Sequence, residues 1–398
     1  MDHLSLGAGD GQRLAWFALG RNAMYAACQL LGLQEGDEVL TPAFDCDGAL
    51  QPFRMLGLRL AFYRSDPATL AADLEDIRRR LTPRTRLLHV INHFGFPQPW
   101  GRLLAWRHDT GIPILEDNAY TLLSEFSGRP AGTFGDAAIF SLRKTLGLVD
   151  GGVLRLNRAD LRWSPLFRRT PWIGWPERPQ ALKLLLRRLG YGSLPAEWRN
   201  RIRRASGSEP APPPLYDHPA RGVPWRPARD AIGPEFACDP LRPMSRLARR
   251  QLAAYTPVRL EAIAGARRVH YARVAAALQG LPGLQVLWPE LPEGIVPFCL
   301  NLLVETQRDL MLVHLQRRFS VMAWPTLPHE VIEQLPEFPE VERLGRQLLQ
   351  VTLPAESVRE AGYGCHLGEF VRDVTALARQ HLSPRSTASL EPSWTAAG

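Results

Sequence analysis

Between residues 38 and 157 the chain alternates two kinds of hydrophobic pattern. Short, nearly continuous apolar runs stand at "EVLTPAF" (38–44), "LRLAFYR" (58–64), "RLLHVINHF" (86–94), "IPILED" (112–117), "AAIFSL" (137–142) and "GVLRLN" (152–157). Their length and continuity predict strands buried on both faces. Apolar positions at helical spacing fill segments before and between them, at 22–33, 47–56, 73–81 and 102–110. Strand–helix alternation predicts an α/β fold with a mostly parallel sheet. In such sheets ligands bind beyond the carboxyl ends of the strands.

The pattern then changes. Residues 163–205 are rich in tryptophan, arginine and leucine, with an amphipathic "ALKLLLRRL", and 205–235 are rich in proline and read as a connector. From Met244 a helical pattern reads as one long helix or a broken pair, and a smaller α/β segment follows to about residue 382. The expected organisation is a large domain over 1–240 carrying an insert at 163–235, a smaller C-terminal domain with a linking helix over 241–382, and a disordered tail over 383–398. No internal repeat is evident.

Composition narrows the function only where it departs from the ordinary. With 45% hydrophobic and 22% charged residues in 398, this is a globular composition. The net charge of +8 comes with no nucleic-acid motif, and no nucleic-acid partner is expected. Cys28, Cys46, Cys238, Cys299 and Cys365 are scattered without a C-x-x-C, which argues against a disulfide framework or a metal site and fits a reducing cytoplasm. No signal peptide and no membrane-spanning run are expected, although the Trp/Arg-rich 163–205 segment raises contact with a membrane surface as a minor reading. The cation usage is the unusual feature. Lys144 and Lys183 are the only lysines; every other cationic side chain of this kind is arginine.

Lys144 follows an apolar run in "SLRK", three residues after Ser141. A lysine amine forms a Schiff base with a carbonyl, and a nearby hydroxyl binds a phosphate oxygen. By itself "SLRK" reads equally as a basic turn after a strand. Asp117 ends the preceding strand, where a carboxylate faces the ligand side of the sheet or caps a helix. Gly20, Arg21 and Asn22 open the first helix, whose N–H groups form an anion site or an ordinary helix start. "GAGDG" (7–11) follows no strand and is not a dinucleotide motif. Together, an anion-binding helix start, an acid at a strand end and a lysine after the next strand are the contacts that pyridoxal 5'-phosphate requires. Arginine cannot replace the lysine in that role.

Order and context resemble the fold-type-I pyridoxal phosphate enzymes, and most of all the DegT/DnrJ/EryC1/StrS family of sugar aminotransferases. "GRNAMYAACQLLGLQEGDEVLTPAF", "HVINHFGFPQP", "PILEDNAYTLLSEFSGRPAGTFGDAAIFSLRK" and "DGGVLRLN" carry the likeness, with weaker pieces at "MSRLARRQL" and "RRVHYARV". The resemblance implies a three-layer αβα large domain, a smaller C-terminal α/β domain and a homodimer. It makes Asp117 the partner of the pyridine nitrogen, Ser141 a phosphate ligand and Lys144 the Schiff-base lysine, with Gly20, Arg21 and Asn22 at the phosphate. Phe44 and Cys46 are the candidates to stack on the cofactor ring, Phe44 being equally readable as core. Tyr120 stands where the family has glutamine or histidine. The S-x-x-K spacing is shorter than the family's usual one, and Asp239 and Arg242 stand near the place where the family's chain reaches its partner's phosphate.

The resulting expectation is a cytoplasmic aminotransferase moving an amino group from a donor such as glutamate to a nucleotide-linked keto sugar. Another fold-type-I reaction, such as desulfuration or elimination, is the enzymatic alternative. A non-catalytic binding protein on the same fold is the other.

Overall fold

The computed structural model describes residues 14–161, 239–316, 318–324, 326–353 and 367–382. The 7–11 glycines, the 163–235 insert with Lys183, Cys238, Cys365 and the 383–398 tail lie outside the described residues.

Seven strands form the main sheet: β1 (Leu14–Phe17), β2 (Glu38–Pro42), β3 (Arg59–Tyr63), β4 (Thr85–Ile91), β5 (Ile114–Asn118), β8 (Ala137–Ser141) and β9 (Gly152–Leu156), in the order β1-β9-β8-β5-β4-β2-β3. β6 (Glu125–Phe126) and β7 (Arg129–Pro130) make a separate ribbon. β3, β2, β4, β5 and β8 run parallel, while β9 and β1 add an antiparallel edge. All six expected strands are present, and the sheet is mostly parallel as their unbroken apolar character implied. β1, only four residues long, went unpredicted.

The helices of this half are α1 (Gly20–Leu30), α2 (Gln51–Met55), α3 (Leu74–Arg80), α4 (Trp100–Thr110) and α5 (Leu142–Leu146). α1 starts two residues before the apolar pattern does, because Asn22 reaches back to accept the Leu19 N–H at 3.0 Å and supplies half a capping box. The segment read as one helix over 47–56 is a 3-10 turn (Asp47–Ala49) followed by α2, with Pro52 in the new first turn, where its missing N–H costs least.

A second sheet of β10 (Leu284–Val286), β11 (Cys299–Val304), β12 (Val321–Ala323) and β13 (Leu348–Thr352) is antiparallel throughout, in the order β10-β11-β13-β12. The helical pattern after Met244 is a broken pair, α6 (Arg246–Ala253) and α7 (Pro257–Leu278). Thr256 caps α7 through Arg259 N, and Pro257 starts the new helix. α8 (Arg308–Gln316), α9 (His329–Glu333), α10 (Pro339–Gln347) and α11 (Leu367–His381) complete the smaller unit.

Two features of this packing position the site. Met244, Ala248, Leu252 and Leu260 share a buried cluster with Leu142 and Leu146 of α5. Tyr255 Oη donates to the Leu146 carbonyl at 2.6 Å and Arg267 to the Thr145 carbonyl at 2.7 Å, so the open end of the short α5 is tied down by side chains. On the other side, Phe298 N donates to Phe94 O at 2.8 Å, and the Ser124 hydroxyl links Gly95 O, Val296 O and Val296 N. Gly95 has φ +107, and a Cβ there would lie 2.7 Å from Val296 O, so glycine is needed where the smaller unit's chain crosses.

Candidate active site

β5 ends with two consecutive acids, Glu116 and Asp117, which the strand's pleat sends to opposite faces. Glu116 accepts the N–H groups of Gly132 (2.7 Å), Phe134 (2.9 Å) and Gly135 (3.1 Å), and Asn92 Nδ2 at 3.1 Å. It therefore staples the "GTFG" loop beneath β8. Gly135 belongs there because a Cβ would meet Ile114 O at 2.8 Å.

Asp117 faces the other way. Its Oδ1 accepts Ala119 N at 2.7 Å, and its Oδ2 lies 3.6 Å from His89 Nε2 of β4. Burial pushes this carboxyl up, but His89, the Lys144 ammonium and the Ala119 N–H more than offset it, holding it below the usual carboxylate range. Asp117 is thus a buried carboxyl, favoured in its anionic form, at the carboxyl end of a central strand.

Lys144 sits on α5, one turn after β8. Its Nζ lies 4.0 Å above the centre of the Tyr120 ring. Lys144 is exposed to solvent. Burial lowers its pKa, but the phenol of Tyr120 and the carboxylate of Asp117 raise it more, so the free amine is held as ammonium. Tyr120 packs between Phe94 (5.5 Å) and Phe298 (5.0 Å), and burial raises its own pKa although Lys144 opposes this. Tyr120 is a platform for the lysine as much as a hydroxyl.

The start of α1 comes to the end of β8. A Cβ on Gly20 would lie 3.7 Å from Ser141 Cβ and 3.6 Å from Phe140 O, ordinary contact distances. Gly152 on β9 makes this approach possible: a Cβ there would overlap the Leu19 carbonyl at 2.0 Å. The "DGG" turn is therefore more than a hairpin. Gly151 takes φ +139 and donates to Ala18 O at 2.6 Å. Asn22 spends its amide elsewhere, donating to the carbonyls of Asp239 (3.1 Å) and Pro240 (2.9 Å). Its side chain is thus engaged at both its oxygen and its nitrogen. Arg21 bonds Gln51 Oε1 and is half-buried. The Asp239–Arg242 stretch lies against this same helix start, with Arg242 O accepting Ala18 N at 2.9 Å.

Of the two stacking candidates, Phe44 is fully buried, 4.6 Å from Trp324 and 5.8 Å from His93, the setting of a wall residue. Cys46 is half-buried, with Sγ 3.7 Å from Thr326 Oγ1, and it interacts electrostatically with both Tyr120 and Lys144.

Several site residues escaped the sequence reading: Thr41, Asp45, His89, His93 and Trp324. His89 and Thr41 carried a usable signal, since each is a polar residue inside an otherwise apolar strand. Trp324 carried none; it arrives from the smaller unit and donates its indole N–H to Asp45 O at 3.0 Å. Burial raises the Asp45 carboxyl to about 7, with His89 opposing, and lowers the His93 imidazole to about 3, with Asp117 opposing. A separate group of Asp47, His329 and Glu330 lies close enough to hold an ion, but Arg54 already bridges Asp47 (2.7 Å) and Glu330 (2.8 Å).

Residues 17–163 match the DegT/DnrJ/EryC1/StrS aminotransferase family. The chain is similar to a dTDP-4-dehydro-2,3,6-trideoxy-D-glucose 4-aminotransferase of Saccharopolyspora spinosa, 30% identical over 42% of this chain and 43% of that one. It is also similar to a GDP-perosamine synthase of Escherichia coli O157:H7, 28% identical over 36% and 40%. The matched stretch thus spans less than half the length of these two relatives. Among solved structures, the aminotransferase TlmJ from Streptoalloteichus hindustanus superimposes with a TM-score of 0.63 at 22% identity, covering 94% of this chain and 88% of that one. A putative sugar aminotransferase from Streptococcus pneumoniae, in its PLP form, gives 0.59 at 14%, covering 93% and 88%. The fold is shared over 94% of the chain with the first of these structures, and residues 17–163 match the DegT/DnrJ/EryC1/StrS family.

Proposed function

We propose, from that family match and the geometry of the site, that the protein is a pyridoxal-phosphate-dependent aminotransferase that moves an amino group from glutamate to a nucleotide-linked keto sugar. The observation that carries this reading is the pair Asp117 and Lys144: a buried carboxylate kept anionic, and a solvent-reachable ammonium on an aromatic platform, at the ends of neighbouring strands. The named relatives act on dTDP-linked and GDP-linked sugars, which supports a nucleotide-linked acceptor.

The residues present fit the cofactor. Its phosphate would be held by the N–H groups of Gly20–Asn22 and the Ser141 hydroxyl, and its ring nitrogen by Asp117. Its aldehyde would be carried by Lys144, with Cys46 and Tyr120 beside the ring. Bound there, it would supply a sink for the electrons left at the donor's α-carbon. Asp117 would keep a proton at the ring nitrogen, which a neutral residue could not do. Lys144 would be the base at Nζ within reach of the donor's α-carbon, and delivering that α-proton to the cofactor's aldehyde-derived carbon, beyond the nitrogen, rather than back to the α-carbon would distinguish transfer from racemisation. Phe44 and Phe94 pack against Trp324, and Phe94 also against the Tyr120 ring beneath Lys144.

Among the described residues no helix is long and apolar enough to cross a membrane. A cytoplasmic homodimer completes the proposal. Glutamate added to the cofactor-loaded protein should convert its absorbance to that of the amine form, and a keto sugar nucleotide should restore it. Sulfide or alanine released from cysteine, with no response to glutamate, would assign the protein to the desulfurase-like alternative.

A further inference from the structure

His89 is completely buried, and its imidazole lies between two carboxyl groups. Nε2 is 3.6 Å from Asp117 Oδ2; Nδ1 is 2.9 Å from Thr41 Oγ1 and 4.0 Å from Asp45 Oδ2. The Phe53 ring stands edge-on at 5.3 Å, Tyr63 Oη donates to the His89 carbonyl at 3.0 Å, and His93 is the other ionisable group that the ring interacts with. Neither His89 Nε2 nor Asp45 Oδ2 has a hydrogen-bond partner, although both are buried. Such groups are costly unless they serve a purpose.

Charge decides how the ring must be protonated. A lone pair on Nε2 would point at the anionic Asp117, so Nε2 carries hydrogen. Two states satisfy this. In one, the imidazole is neutral, Nδ1 accepts from the Thr41 hydroxyl, and Asp45 holds a proton. In the other, the imidazole is a cation, Nδ1–H donates to Thr41, and Asp45 is anionic. The two differ only by which of Asp45 and His89 holds one proton. In both, an N–H faces Asp117.

We propose that His89 is the positioning residue for Asp117, with Asp45 and Thr41 at Nδ1 keeping the Nε2–H turned toward the Asp117 carboxylate. The 3.6 Å separation orients that carboxylate without closing a tight bond, which leaves Oδ2 available to a ring nitrogen. The raised Asp45 carboxyl agrees with the state in which Asp45 is protonated. The inference deepens the proposed function and rests on it for the cofactor, though the orientation of the imidazole does not.

The test has two arms. In the cofactor-free protein, nitrogen-detected NMR of 15N-histidine-labelled chain, assigned by comparison with His89→Gln, should show His89 with hydrogen on Nε2. A ring protonated on Nδ1 alone would overturn the proposal. In the loaded protein, His89→Leu should raise the dissociation constant of pyridoxal phosphate and lower kcat, each by about 10–100-fold, as loss of an orienting outer partner does. KM for glutamate should stay within about twofold, because this ring touches no substrate. His89→Gln, whose amide can still donate, should recover most of both losses. Equal defects in Leu and Gln variants that fold normally, or no defect in either, would overturn the positioning role. A wild-type chain that takes up no pyridoxal phosphate would sink the proposed function instead, and the NMR arm alone would then decide the ring's orientation.

Discussion

Glu116 and Asp117 are neighbours on one strand, both buried, and the protein treats them in opposite ways. On the Glu116 side three loop N–H groups and one amide converge on one carboxylate. On the Asp117 side polar groups are buried without partners, among them Asp45 Oδ2, His89 Nε2 and His93 Nδ1. Satisfied burial builds a rigid loop; unsatisfied burial keeps charge and protons ready for a ligand. The adjacent acids show that burial alone does not separate structure from chemistry. The state of the surrounding donors does.

The largest expected effect breaks the Asp117 side without touching the Glu116 side. Lys144→Arg keeps a cation above Tyr120 but cannot link to a carbonyl. Amino transfer should fall by at least about 1000-fold, while the thermal midpoint stays near wild type. A turnover assay beside a melting curve reads both, and a variant that remained active would remove Lys144 from the chemistry.

Glu116→Ala should do the reverse. It strips four donors of their acceptor, and unfolding by denaturant should show a loss of about 3 kcal/mol or more. A stability change under about 1 kcal/mol would mean that water satisfies the loop as well as Glu116 does.

How much of this was legible in the sequence follows the same division. The strands were readable because each is buried on both faces and therefore continuously apolar. Asp117 and Lys144 were readable because an acid and a rare lysine interrupt such runs at their ends. β1 was too short to show a pattern. The segment 47–56 reads as one helix because its apolar spacing hides the break at Leu50, between the 3-10 turn and α2. Asp45 and Trp324 were invisible for a different reason: their meeting joins residues 279 positions apart, and no local spacing encodes it. The role of Gly152 was equally hidden, because it admits the Leu19 carbonyl, a contact between distant segments.

A smaller effect sharpens the comparison by pH. The folded protein holds a proton on Asp45 up to about pH 7, whereas the unfolded chain releases it near its ordinary value of 3.8. Between those values the folded state binds more protons, so this group's contribution to stability falls as pH rises through the window. Asp45→Asn lacks that penalty and keeps the oxygen that accepts Cys46 N. Its stability relative to wild type should therefore increase from pH 5 to pH 8, by on the order of 2 kcal/mol. A difference independent of pH would show that Asp45 is ionised throughout.

The central claim is that Lys144 carries the cofactor, and reduction with borohydride tests it most directly. Pyridoxal phosphate is added, the link is reduced, and the chain is digested and mapped. With only Lys144 and Lys183 available among side chains, the result is unambiguous. The account predicts a pyridoxyl group on the peptide containing Lys144. Label on Lys183, or on neither lysine, would contradict it.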